Sequence, residues 1–340
     1  MVHHSSGEIG LDHDYTTTTL LKSSSSNNNE NSSIVTVPTA QTLIKEIINI
    51  YQQLKNARNL QPSEHINSLF TKLVHICILP IDQSVLNQVL NDHSILDILY
   101  SLRELCSQGE YHLESHWSNY FISSLPSPSS SSITMQKGDN DHQSWVNTTK
   151  EQLSKFVYYQ NYVDLTKIEC HALLGVGASL KHVIFIGSGP LPLSSLEMLL
   201  QHPTLIERID NVDIDHEAIR LSSMLTKQLA IPKEIQSRLH YYQSDATLYQ
   251  GYEKADVICL GALVGNDQNK FDILSMIAQK MRPGSWLLLR SAHGLRQLLY
   301  SSLSPTELNT SPTLSGLLEV VLELHPHHDV VNSVLIARRI

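Results

Sequence analysis

Phe185-Ile186-Gly187-Ser188-Gly189-Pro190-Leu191-Pro192-Leu193-Ser194 decides the fold of this 340-residue chain. Apolar residues from Val183 to Ile186 run into a Gly-x-Gly turn, and Leu196, Met198, Leu199 and Leu200 continue in a helix-like pattern. A strand that empties into glycines ahead of a helix is where α/β proteins hold nucleotide-like ligands. The backbone there can approach the ligand closely, and N–H groups at the helix start point at it. The third glycine of the dinucleotide fingerprint is missing, and prolines stand where a pyrophosphate would want open N–H donors. Gly187-x-Gly189 alone is a weak signal, and the residues that follow turn it away from NAD.

Working outward, Ile209-Asp210-Asn211-Val212-Asp213-Ile214-Asp215 reads as a second strand ending in acids. A carboxylate at that strand tip is placed to accept both ribose hydroxyls of an adenosine, and Asp213 is the better candidate. The alternative is that Asp213 and Asp215 merely cap the helix of Ile219, Leu221 and Met224. Further strand-like runs fall at Leu239–Tyr242, Val257–Leu260, Trp286–Leu289, Leu317–Leu322 and Val331–Ile336, which makes seven. Helical stretches such as Ile219–Leu229 and Phe271–Met281 separate the first five, so those should form a parallel sheet. The last two are joined by a segment too short for a crossover and should pair as a hairpin. The expected fold is α/β: five parallel strands finished by an antiparallel pair, which resembles the Rossmann-like sheet of S-adenosylmethionine-dependent transferases, with an N-terminal helical bundle domain.

In that sheet Gly187, Ser188, Gly189, Pro190 and Leu191 form the cofactor turn. Asp245-Ala246, after the third strand, should meet the adenine amino group, unless Asp245 is only a turn residue. Ala262-Leu263, after the fourth, should lie beside the sulfonium end, since ligands bind outside the carboxyl ends of the strands.

Net charge is −9 with no basic run, which argues against nucleic acid or an acidic membrane surface as partner. No segment approaches the ~18 consecutive apolar residues of a membrane span. Cys77, Cys106, Cys170 and Cys259 show no paired spacing and read as thiols of a reducing compartment, so a cytoplasmic enzyme of small-molecule substrates is expected. Oligomeric state is open, a homodimer included. Residues 1–37, rich in Thr, Ser and Asn, read as a disordered tail, and 123–142 as a flexible Ser-rich insert. Between them, Leu43, Ile47, Ile50 and Leu54, then Ile66, Leu69, Leu73 and Ile76, repeat at helical spacing, with Pro62-Ser63 as a start signal. A third run passes through Ile95, Leu99 and Leu102 toward Trp117, so 38–122 is a helical domain. Residues 143–175 link it to the sheet domain of 176–340, with one helix expected over Trp145–Leu165.

Two places outside the sheet carry candidate chemistry. Glu110 and Glu114 share one helix face, and like charges that close raise at least one pKa, as a proton acceptor near neutrality requires. A solvated acidic face is the alternative. Tyr158, Tyr159 and Tyr162 crowd into five residues, as a packed seam or as a pocket with hydroxyls turned inward. His325, His327 and His328 lack ligands at zinc spacing and read as a polar turn; no metal site is expected.

Taken together, these residues resemble the nicotianamine synthase family, in its eukaryotic form. The resemblance rests on Phe185 to Leu193, on Leu289-Arg290-Ser291-Ala292-His293-Gly294 and on Asp329-Val330-Val331-Asn332-Ser333-Val334. In the helical part it rests on Ile50-Tyr51, Leu69-Phe70-Thr71-Lys72-Leu73-Val74 and Leu113-Glu114-Ser115-His116. It runs from about residue 41 to the end, interrupted by the Ser-rich insert. It implies that S-adenosylmethionine donates its 3-amino-3-carboxypropyl group instead of its methyl. The amine of one molecule attacks the γ-carbon of another and 5′-methylthioadenosine leaves. Three such units, with a ring closure, give nicotianamine, a metal chelator, so the metal belongs to the product. The resemblance also implies Glu114 as the catalytic glutamate and Tyr162 as the tyrosine beside the reacting amine. Glu110, Tyr158, Arg290 and Asn332 become substrate-binding candidates, Arg290 for a carboxylate unless it forms only a surface ion pair. Three alternatives stay open: a methyltransferase of a small amine, a related transferase that makes opine-type metal chelators from another first acceptor, and a non-catalytic protein that has kept the fold.

Overall fold

The alternating runs after residue 180 do form a single seven-stranded sheet. The computed structural model describes residues 38–125, 139–265, 269–327 and 329–340; the N-terminal tail, most of the Ser-rich insert and His328 lie outside the described residues. Strands β1 (His182–Ile186), β2 (Arg208–Asp213), β3 (Leu239–Gln243), β4 (Val257–Leu260), β5 (Trp286–Ser291), β6 (Leu318–Leu324) and β7 (Ser333–Arg339) lie in the order β3-β2-β1-β4-β5-β7-β6. The first five pair in parallel, while β7 runs antiparallel to both β5 and β6. Strand order reverses between β1 and β4, and a crevice opens there at the carboxyl ends. The hairpin inserts β7 beside β5, pairing Arg290 with Val334 and Ser291 with Ser333, so Asn332 stands at that same end. Both hairpin strands extend further than their apolar runs, β6 through a register shift at Val320/Leu322.

Helices are α1 (Ala40–Asn56), α2 (Glu64–Ile78), α3 (Gln83–Leu90), α4 (His93–Ser124), α5 (Asp139–Leu153), α6 (Tyr159–Gly175), α7 (Leu193–Gln201), α8 (His216–Gln228), α9 (Lys233–Gln236), α10 (Lys270–Lys280) and α11 (Pro305–Thr310). Their starts follow capping chemistry: Ser63 Oγ accepts from Ile66 N and Asp82 Oδ1 from Val85 N. On α4, Ile95, Leu102 and Phe121 are fully buried, each worth ~1.5–3 kcal/mol against exposure. Leu295, Leu298, Leu299 and Val331, from the loops at the carboxyl ends of the sheet, pack into the core of α1–α4, which fixes that bundle over the crevice. No helix among the described residues is long and apolar enough to cross a membrane.

Three expectations change. The helix over Trp145–Leu165 is broken between α5 and α6, where Phe156 N bonds Leu153 O and Tyr159 N bonds Phe156 O. The break lets Phe156 bury its ring against Trp117, and it leaves Tyr158 as the N-cap of α6. The Ser-rich insert is helical at both edges, because α4 continues to Ser124 and α5 begins at Asp139. Between β3 and β4 the crossover has only a short 3-10 turn, Tyr252–Lys254. There the buried rings of Tyr249 and Tyr252 cover the sheet face that a helix would otherwise cover.

Candidate active site

Where β1 ends, Gly187 and Gly189 both take left-handed backbone, with φ of 72° and 68°, a conformation that costs other residues ~1–2 kcal/mol. Gly187 N and Ser188 N donate to Val212 O, so the turn is pinned to β2. Gly189 N donates to Asp213 Oδ2 at 2.9 Å, and Asp215 N donates to Oδ1 of the same side chain at 3.0 Å. Asp215 alone caps α8, accepting from Glu217 N and Ala218 N. The two acids have separated: Asp215 holds the helix, and Asp213 stands at the strand tip beside the glycines. Burial raises the Asp213 pKa, against the backbone N–H groups of Asp215, Gly189 and Ile214. Gly261, after β4, sits so close that a Cβ would lie 3.1 Å from Gly187 O. Ala262 and Leu263 follow it, with Leu263 exposed. Asp245 accepts from Thr247 N and Thr247 Oγ1 through Oδ1, forming a turn, and Ala246 O accepts from Tyr252 OH.

Helix α4 brings a carboxylate onto this turn. A Cβ on Gly189 would lie 2.6 Å from Glu114 Oε2, so only a glycine leaves room for that oxygen. Glu114 Oε1 accepts from Tyr162 OH at 2.7 Å. One helical turn on, Ser118 Oγ donates to Pro190 O at 2.6 Å and fixes α4 against the Gly-x-Gly-Pro turn. One turn back, Glu110 Oε2 accepts from Tyr300 OH at 2.8 Å. Burial first, then the charge of Glu110, pushes the Glu114 pKa up to about 8, against the Tyr162 bond. Burial also raises Glu110, against its bond from Tyr300 and the Arg290 charge.

Arg290 reaches the same region from β5, but it is engaged. Its Nε donates to Glu169 Oε1 at 2.7 Å, and its Nη2 to Glu169 Oε2 at 3.0 Å and to Ser194 Oγ at 2.6 Å. Burial lowers the guanidinium pKa, and the Glu169 charge more than restores it. The pair is buried rather than at the surface, and it ties β5, α6 and α7 together. Nη1 alone forms no bond among the described residues. Tyr158 is the N-cap of α6, and its hydroxyl meets Thr71 Oγ1 on α2, at 3.3 Å. Ser188 Oγ and Asn332 Nδ2 are buried polar atoms with no partner among the described residues.

Glu169, Ser118 and Tyr300 escaped the sequence reading. Ser118 had a signal, four residues beyond Glu114 on the same face, and Glu169 lay one heptad after Tyr162. Tyr300 had none, being 190 residues from its partner. His325 stacks on His293 with ring centres 4.0 Å apart, and its Nδ1 shares a hydrogen bond with Ser333 Oγ. Among the described residues no group of three His, Cys, Asp or Glu could hold a metal ion. A cavity of ≈ 310 Å³ beside the site is lined by Arg103, Ser107, Ala262, Leu263 and Tyr300, among others. A larger one of ≈ 670 Å³ lies over α1 and the start of α2 and shares no residue with the strand ends.

A carboxyl with a folded pKa above its unfolded value of 4.5 binds more protons folded than unfolded between pH 4.5 and about 8. Its contribution to stability is complete below pH 4.5 and is lost as pH rises toward 8, at no more than ~1.4 kcal/mol per pH unit for one proton. The expected result is that Glu114→Gln gains on the native protein in urea midpoint between pH 5.5 and 8.5. Parallel pH profiles for the two proteins would contradict a raised Glu114.

Known proteins match this chain over most of its length. The family model described as nicotianamine synthase protein matches residues 37–132 and 141–340. The nicotianamine synthase of Solanum lycopersicum is 34% identical over 308 residues, covering 89% of this chain and 85% of its own length. Nicotianamine synthase 2 of Arabidopsis thaliana is 32% identical over 302 residues, with 88% and 84% covered. Among solved structures, MtNAS in complex with MTA and tNA superposes with a TM-score of 0.65 at 20% identity, over 87% of this chain and 97% of that one. That last likeness speaks to the fold.

Proposed function

We infer that this chain, which belongs to the nicotianamine synthase family, joins three molecules of S-adenosylmethionine into nicotianamine and releases 5′-methylthioadenosine at each transfer. The observation that carries this reading is the seating of one buried carboxylate, Glu114, directly against Gly189 of the donor turn, with the Tyr162 hydroxyl on its other oxygen. In each transfer the nitrogen lone pair of the acceptor attacks the γ-carbon of the donor's aminocarboxypropyl chain. The N–C bond forms, the C–S bond breaks with its electron pair going to sulfur, and the nitrogen's proton passes to Glu114. A sulfonium is already an activated electrophile, so the protein mainly has to remove that proton and aim the nitrogen.

A Glu114 pKa near 8 suits this task once the substrates' charge is counted. A sulfonium and an ammonium arriving beside the carboxyl favour its ionised form, so the base is generated where the cations are. Tyr162 fixes the carboxylate's direction. Asp213 accepts the ribose hydroxyls, while Gly187, Ser188, Gly189, Pro190, Leu191, Asp245, Ala246, Ala262 and Leu263 form the rest of the donor site. The unpartnered Ser188 Oγ and Asn332 Nδ2 are available to substrate, and Arg290 offers a carboxylate only Nη1. We assign the chain to metal handling through its chelating product, and place it in the cytoplasm because its four cysteines are free and buried.

Incubation with S-adenosylmethionine alone, read by mass spectrometry, tests the reaction. Methylthioadenosine together with nicotianamine is expected. S-adenosylhomocysteine, formed only when an amine acceptor is added, would make the chain a methyltransferase instead. A transfer product that appears only when a different first acceptor is supplied would point to the opine-type alternative.

A further inference from the structure

Each transfer leaves one proton on Glu114, a side chain only 9% exposed, and three bonds must form before the product is complete. Unless that proton leaves, the base is spent after the first transfer. Nicotianamine formation, as read above, therefore requires a way out, and helix α4 holds a row of groups suited to it. Arg103, Ser107, Glu110 and Glu114 follow one another at three- and four-residue spacing, so they share a face. Glu114 stands at the Gly189 end. Glu110 is one turn nearer the helix start and takes its hydrogen bond from Tyr300 OH. Tyr300, Ser107 and Arg103 line the ≈ 310 Å³ cavity, together with Tyr100 and Leu263. Those two are 53% and 39% exposed, so the cavity reaches the surface.

We propose that Glu110 and Tyr300 are the outlet through which Glu114 sheds its proton between successive transfers. The proton moves from the Glu114 carboxyl to the Glu110 carboxylate. From there it passes through the Tyr300 hydroxyl, which takes one proton as it gives up another, to water in the cavity. No electron transfer is involved, and Glu114 returns to its carboxylate form. The charged and titratable groups facing Glu110 are Cys106 and Glu114 on its own helix, Tyr162 on α6, Arg290 on β5 and Tyr300. Cys106 and the tyrosines stay protonated through neutrality, because burial raises each of them. Arg290 is held by Glu169. Of the two carboxyls whose charge reaches Glu114, Asp213 is held by the Gly189 and Asp215 N–H groups, which leaves Glu110 to accept a proton and return it. The role is indirect, since Glu110 acts through Glu114.

This inference rests on the proposed reaction, and one measurement separates the two. Native protein, Glu110→Gln and Tyr300→Phe are mixed with S-adenosylmethionine in weak buffer. Methylthioadenosine is followed by quenched flow, and released protons by a pH-indicator dye. In the native protein the two signals should rise together. In both variants proton release should lag methylthioadenosine by about 10²-fold, the low end of what a proton-transfer group contributes, whatever the rate of bond formation. Protons and methylthioadenosine still rising together in either variant would overturn the outlet, because a purely structural defect slows both signals equally. Tyr300→Phe keeps the ring in place if Glu110→Gln folds poorly. Absence of methylthioadenosine from the native protein would sink the proposed reaction itself.

Discussion

Glu114→Gln is expected to bind S-adenosylmethionine and to lose most of its turnover, by about 10²–10⁴-fold. Glutamine keeps the shape of the side chain and can still accept the Tyr162 hydroxyl, which meets Oε1 at 2.7 Å in the native protein. It can also keep its place against Gly189. It cannot take a proton from an ammonium. The amine then remains protonated, its lone pair is unavailable, and the donor's C–S bond stays intact. Removing one buried acid that its neighbours hold partly neutral should not unfold the protein, and binding measured by calorimetry should stay within a few-fold of native. Methylthioadenosine release by chromatography supplies the rate. Near-native turnover in this variant would remove Glu114 from the chemistry and leave it as a packing group.

The sheet was legible because its signals are local. Val183–Ile186 ends at glycines, Asp213 ends the next strand, and the hairpin is forced by the short connection ahead of Val331. Each needed only the residues on the page in sequence order. Glu114 and Tyr162 stood out locally, as one of an acid pair and one of a tyrosine cluster, and only the family resemblance assigned them roles. Their spacing within α4 and α6 says nothing about the 2.7 Å between them. Arg290 was legible only as a candidate. The resemblance makes it a carboxylate-binding residue, and its main partner in the fold, Glu169, is 121 residues away. No window along the chain contains that pairing. The break before α6 was missed for a related reason. Residues 145–165 hold no Gly or Pro to mark a stop, and the break falls where Phe156 is buried against a ring from α4. Burial against a distant element overrides local propensity.

Gly189→Ala is the substitution expected to do most damage for its size. Two costs fall on one methyl group. The φ of 68° places an alanine in the left-handed region, a strain of ~1–2 kcal/mol. The new Cβ would also lie 2.6 Å from Glu114 Oε2. That oxygen ends a flexible side chain, so the clash resolves by turning the carboxylate away and breaking its alignment with Tyr162. A displacement of about 1 Å at a reacting group can cost about 10²-fold in rate, and kcat should fall at least that far while the protein still folds. Gly187→Ala supplies the control. Its φ of 72° carries the same strain, but its Cβ would meet Val264 Cγ2, at 2.3 Å, and not Glu114. That variant should therefore lose donor affinity more than kcat, since Val264 follows the Ala262-Leu263 segment. If both variants lose kcat and affinity in equal proportion, the glycine turn acts only through stability and the seat of Glu114 on Gly189 has no catalytic meaning.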